Sequence, residues 1–237
     1  GPGGAGKSTV AKKVAAELGI EYIDTGAMYR AFGLKLLREK MPIEDKPALR
    51  SLLENTHIDF RNGAVTLDGE DVSGLIRTPE VSMAASACSA IAFVREKMVQ
   101  SQQQMGRSKS VIMDGRDICE VVFPNARYKY FITASPEERA QRRYKELMAK
   151  GQETTYEQVL SDIEERDRND STRKASPMKK ADDAELLDTT GMTIDEARQA
   201  LLPGVEAAAD AINIGVRYNT SLWLFNAVDL GAQSDLD

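Results

Sequence analysis

The chain has 237 residues, 42% hydrophobic and 29% charged, which is enough for one sizeable core with a small inserted subdomain. A formal net charge of -6 argues against a nucleic-acid polymer as the main partner. A single histidine, His57, excludes a multi-histidine metal site, and the distant Cys88 and Cys119 read as reduced thiols of a cytoplasmic protein; no apolar run is long enough to span a membrane.

The chain opens GPGGAGKST, in which Gly1, Gly6, Lys7 and Ser8 fit the phosphate-binding pattern G-x-x-x-x-G-K-[ST]. A loop of this kind sits between a strand and a helix. Nothing precedes Gly1, so the start reads as incomplete. Residues 8–18 place Ala11, Val14, Ala15 and Leu18 on one helical face, with Gly19 as a stop. IEYID at 20–24 reads as a short buried strand and TGAMYRAFGLKLLREK as a helix, the opening of an α/β fold. Asn62-Gly63 and Asp68-Gly69 are hairpin signals and predict a small antiparallel meander over 56–76. Pro79 opens a helix expected to run over about 80–105, and SVIMD and RYKYFITA read as buried strands. Ser135-Pro136-Glu137-Glu138 forms a capping box that launches a helix, YEQVLSDIEERD forms another, and AELLD is a last short strand. Thr193 to Glu196 is a second capping box, for a helix reaching about Leu202. From Pro203 onward the sequence loses its periodicity and reads as a poorly ordered or foreign tail, although the apolar run SLWLFNAVDL is also a candidate to replace the strand missing before the phosphate loop.

Four features carry chemistry. Glycines let a phosphate loop wrap its N–H groups around an anion, Lys7 reaches the outer phosphates, and the Ser8 hydroxyl suits Mg²⁺. In DTGAMYR, Gly26 permits a tight entry to the helix and Arg30, one turn along, can fork onto a phosphate. In MDGRDICEVVFP a strand ends at Asp114, Gly115 allows close approach, and Arg116 and Asp117 follow at the kind of strand end where open α/β sheets bind ligands. Arg139, Arg142, Arg143, Arg166, Arg168 and Arg173 supply the positive charge that phosphoryl transfer needs, with Arg139 and Arg168 expected at the surface. The D-x-x-G match at 188–191 has no N-K-x-D companion and falls too late in the chain to mark a GTPase.

Together, GPGGAGKST, DTGAMYR, LDGEDVSGLIRTPEV, DGRDICEVVFP, SPEERAQRR and ERDRNDSTR resemble the bacterial-type cytidylate kinases, from Gly1 to about Leu202. The resemblance implies a phosphate-loop kinase of α/β class. It would have a parallel core sheet flanked by helices (1–55 and 106–202), an antiparallel nucleoside-monophosphate insert (56–105) and a helical lid near 145–175, with 203–237 an atypical tail. It implies Mg²⁺-ATP and CMP or dCMP as small-molecule partners, with ATP held by Gly3, Gly4, Ala5, Gly6, Lys7, Ser8 and Thr9, and a monomer. By the same resemblance Arg30, Arg116 and Arg173 match residues that hold the CMP phosphate, and Ser86, Arg95 and Asp117 those that read cytosine. Arg166 and Asp170 match residues that contact the sugar, and Thr25 stands where relatives often carry serine. Lys7, Arg116 and Arg173 are then the catalytic set. The strand that this family carries before its first glycine is absent, so the alternative expectation is a nucleotide-binding fragment without turnover.

Overall fold

The computed structural model describes residues 1–61, 63–108, 110–201 and 223–224. Helix α1 (Lys7–Leu18) starts directly after the phosphate loop, where Gly6 holds φ 78°, and it stops at Gly19 with φ 64°. Both angles lie in the left-handed region that glycine enters without a Cβ penalty. Its buried residues are Lys7, Val10, Ala11, Val14 and Ala15, so the buried face starts earlier than the periodicity indicated, and Leu18 is only partly buried against the core. Strand β1 (Glu21–Asp24) runs into α2 (Thr25–Arg38), with Asp24 as the N-cap accepting from the Ala27 amide. The structure adds α3 (Lys46–Glu54), capped by Asp45.

Strands β2 (Ile58–Arg61), β3 (Ala64–Leu67) and β4 (Glu70–Asp71) form the expected antiparallel meander. Asp68 and Gly69 hold φ 51° and 88° in a two-residue turn, the geometry that an Asp-Gly pair favours. Asn62 of the first turn lies outside the described residues. Phe60, Val65 and Leu67 of this sheet join the same hydrophobic cluster as Met28 and Phe32 of α2, so the insert shares the main core.

One expected helix is two: α4 (Pro79–Ser89) and α5 (Ala92–Ser108). At the break the Ser89 carbonyl, in the last turn of α4, accepts from the Arg95 guanidinium at 3.2 Å. Strand β5 (Val111–Asp114), buried throughout, is followed by a five-residue π-helix, Ile118–Val122. Then come β6 (Tyr130–Thr133), α6 (Pro136–Ala149), α7 (Tyr156–Thr172), β7 (Glu185–Asp188) and a last helix at 194–201. The SPEE box is half made. Ser135 accepts from the Glu138 amide, but Glu138 turns its carboxylate to Arg142, and the Ser135 amide donates to Thr190. The Thr193–Glu196 box closes in both directions.

All strand pairs outside the meander are parallel. Strand β1 pairs β5 in register Asp24↔Asp114, and β6 pairs β7 in register Thr133↔Asp188. Strand β8 (Trp223–Leu224) pairs β5 on its other edge, giving the order β1-β5-β8. The tail run therefore does contribute to the core sheet, while the rest of the tail reading, 203–222 and 225–237, lies outside the described residues. Ile23, Ile112 and Met113 sit at the centre of the core, between α1 and α2.

Candidate active site

The carboxyl ends of both parallel pairs converge on the phosphate loop. From the β5 end, Asp114 takes the Ser8 hydroxyl at 2.5 Å and the Tyr22 hydroxyl at 3.2 Å, with Lys7 Nζ 3.9 Å away. From the β7 end, the Thr189 hydroxyl lies 3.1 Å from the Ala5 carbonyl and 2.9 Å from that of Thr133. The loop is thus fixed on two sides by strand-end residues. Lys7 is buried and donates to the Pro2 carbonyl at 2.6 Å, and burial holds its ammonium below the usual lysine pKa. Above the loop lies a cleft of about 800 Å³ lined by Gly3–Thr9 and by Arg30, Arg139, Arg142, Arg143 and Arg166 among others.

A second group of charged side chains lies at the ends of β1, β5 and α7. Arg30 pairs Asp24 at 2.7 Å, and Gly26 makes room for it: a Cβ there would stand 3.0 Å from the Arg30 guanidinium. Gly26 is therefore within the helix, and its role is to admit Arg30 rather than to form a turn. Thr25 is buried and donates to the Asp114 carbonyl, joining α2 to the β5 end. Asp170 is shared between Arg116 Nε and Arg173 Nη1. Arg95 and Asp117 form a buried pair at 2.6 Å, and the Arg95 guanidinium lies 5.3 Å from the Tyr29 ring centre. Two buried nitrogens, Arg30 Nε and Arg173 Nη2, have no hydrogen-bond partner among the described residues, which leaves their donors for a ligand. Ser86 is exposed on α4.

Like charges are held close here. The Arg116 guanidinium and burial together depress the pKa of Arg166 to about 10. Burial and then Arg95 lower Arg173. Burial also works against Arg116, but the Asp170 carboxylate outweighs it and the net direction is upward. Such a group favours a polyanion.

Arg139 departs from its expected surface position: it is 3% exposed and hydrogen-bonds the Ala134 and Gly3 carbonyls. Arg168 is exposed, as expected. Sequence reasoning gave no role to Asp24, Asp114 or Asp167, the acids that hold the cleft's cations. The signal was present for Asp24 and Asp114, each the last residue of a strand that the sequence marks. Asp167 carried no such mark within a helix dense in charge.

The family model for cytidylate kinase matches residues 1–207. The chain belongs to the cytidylate kinase family. It is 53% identical over 209 residues to a cytidylate kinase of Desulforamulus reducens, covering 87% of this chain and 94% of that protein. A cytidylate kinase of Caldanaerobacter subterraneus subsp. tengcongensis is 52% identical, covering 83% and 88%, and one of Clostridioides difficile is 48% identical, covering 90% and 96%. As a member of the cytidylate kinase family the protein is a nucleotide-binding transferase, with the mixed α/β architecture expected of a phosphate-loop kinase. No helix among the described residues is long and apolar enough to cross a membrane.

Proposed function

We propose that the protein transfers the γ-phosphoryl group of Mg²⁺-ATP to CMP or dCMP, giving CDP or dCDP and ADP. The observation that carries this reading is the meeting of Lys7, Ser8 and Asp114 at one strand end with Arg30 and Arg166 in the lining of the cleft, and with Arg116 and Arg173 joined through Asp170. In this reading Gly3, Gly4, Ala5, Gly6, Lys7, Ser8 and Thr9 hold the ATP phosphates. A phosphate oxygen of CMP attacks the γ-phosphorus, and the bond to the β–γ bridging oxygen breaks. No covalent enzyme intermediate is needed, so the side chains act by positioning and charge compensation.

Arg30, Arg116 and Arg173 receive the CMP phosphate, and the orphan nitrogens of Arg30 and Arg173 supply donors not already committed to protein. Asp117 accepts the cytosine amino group and Arg95 donates to its acceptor edge, so UMP, with an acceptor in place of that amino group, is rejected. In the same reading Ser86 of α4 joins Arg95 and Asp117 at the base. Arg166 and Asp170 contact the sugar. The fit for Mg²⁺ rests on two hard oxygen donors side by side, the Ser8 hydroxyl and the Asp114 carboxylate, 2.5 Å apart. When bound, the ion would neutralise charge on the outer phosphates. The reading also takes residues 56–105 as the acceptor-binding insert, α7 and its neighbours as a lid, and the protein as a monomer.

The test is ADP release from Mg²⁺-ATP against CMP, dCMP, UMP, AMP and GMP, with Lys7→Ala as control. Turnover led by CMP and dCMP and lost in the control is expected. A preference for AMP or GMP would overturn the acceptor assignment. Nucleotide binding without turnover for any acceptor would favour the non-catalytic alternative.

A further inference from the structure

Arg139 leaves α6 at its first turn, yet its side chain runs inward and is 3% exposed. Each of its three guanidinium nitrogens has a protein oxygen on a different element. Nε donates to the Ala134 carbonyl at the end of β6 at 2.9 Å. Nη1 donates to the Gly3 carbonyl of the phosphate loop at 3.2 Å. Nη2 pairs Asp167 of α7 at 2.6 Å. The aliphatic stem supports the loop as well, since a Cβ built on Gly4 would lie 3.3 Å from the Arg139 Cβ. Gly4 itself holds φ 78°, a left-handed conformation within the anion cradle.

We infer that Arg139 is a positioning residue that ties the phosphate loop to α7, so that the loop's shape and the placement of Arg166 change together. This rests on the kinase reading, in which α7 covers the nucleotide. Asp167 is the immediate neighbour of Arg166, whose pKa the like charge of Arg116 lowers. The docking of α7 works against that like charge. Two acid–arginine pairs oppose it, Asp167–Arg139 and Asp170–Arg116. The second uses an arginine assigned to substrate, whereas the first is committed wholly to protein oxygens. A planar fork is required: lysine offers one ammonium and cannot span three acceptors on three elements.

The experiment compares Arg139→Lys, Asp167→Asn and the double variant in steady-state assays with Mg²⁺-ATP and CMP, alongside amide exchange over 156–172. Each single change is expected to lower kcat about tenfold while KM for CMP stays within about twofold. The double variant should lose no more than the worse single, because both remove the same tie. Exchange over 156–172 should accelerate while that of β1 is unchanged. Asp167→Asn carries the test even where Arg139→Lys folds poorly, because Asp167 sits on the outer face of the pair at 22% side-chain exposure. Wild-type kcat and unchanged exchange in Asp167→Asn would overturn the tie, as would multiplicative losses in the double variant. A wild-type chain that fails to phosphorylate CMP would overturn the kinase reading instead, and the exchange measurement would still decide the tie.

Discussion

Gly33 lies in the middle of α2, where alanine would ordinarily gain about 1 kcal/mol of helix propensity. Here a Cβ would stand 2.8 Å from the Ala85 amide nitrogen and 3.0 Å from the Val81 carbonyl oxygen, both backbone atoms of α4. Backbone cannot swing aside as a flexible side chain can, so the overpacking cost prevails over propensity. Gly33→Ala is expected to destabilise the fold by about 2 kcal/mol, read as a lower urea midpoint with the slope retained; a midpoint at or above wild type would show that the two helices separate freely. The thiols give a second prediction at this scale. Burial pushes both Cys88 and Cys119 up to about 12 from an ordinary value of 9.0. A raised folded pKa contributes stability that is complete below the unfolded value and is lost as pH climbs toward the folded one. Stability should therefore fall between pH 9 and 12, by up to about 1.4 kcal/mol per pH unit for each thiol. Buried tyrosines act in the same direction, so the check compares wild type with the Cys88→Ala/Cys119→Ala variant, whose decline over this range should be shallower. An identical decline would remove the thiols from the account.

At the scale of elements, the pairing of β8 with β5 makes a prediction about the carboxyl-terminal segment. Unfolding breaks the backbone pairing of β8 with β5 at Trp223, the one tryptophan of the sequence. Its emission should shift in guanidinium together with the loss of helix signal. Emission that stays constant through the transition would mean that the segment does not dock. The pattern of what could be read in advance follows from how local each signal is. The phosphate loop, the Asp-Gly turn and the Asp24 cap are each written within a few residues, and the sequence analysis placed the first two of them. The split between α4 and α5, where Arg95 reaches back to the Ser89 carbonyl, is one that no periodicity records. The same holds for the site. Residues that project from strand ends, such as Arg116 and Asp117, were legible because the strand end itself was legible. Arg139 was misread because its helical face looks like any charged face. Its burial comes from Gly3 and Asp167, 136 residues before it and 28 residues after it.

At the scale of the whole molecule, an acidic chain of net charge -6 keeps a concentrated positive cleft. It does so by giving its cations internal acids: Asp24 on Arg30, Asp170 on Arg116 and Arg173, Asp114 near Lys7. These pairs offset part of the repulsion: the like charge of Arg116 still lowers the pKa of Arg166, while Arg173 is lowered first by burial and then by Arg95. A phosphate-bearing ligand relieves the remainder, and whatever binds the folded state alone stabilises it by mass action, about 2.7 kcal/mol at a hundred times Kd. Melting temperature should therefore rise clearly with ATP and with CMP but scarcely with cytidine at equal concentration, since cytidine presents the same base without the anion. The rise should shrink as NaCl is increased from 0.05 to about 0.5 M, because salt screens the partly exposed members of the group. Arg173→Gln should remove most of the CMP shift while leaving most of the ATP shift, because Arg173 pairs with Asp170 at the acceptor side and does not line the cleft above the phosphate loop. Equal shifts from cytidine and CMP would mean that the base, and not the charge, drives binding, and the arginine group would then have to be explained by stability of the apo fold, which its mutual repulsion argues against.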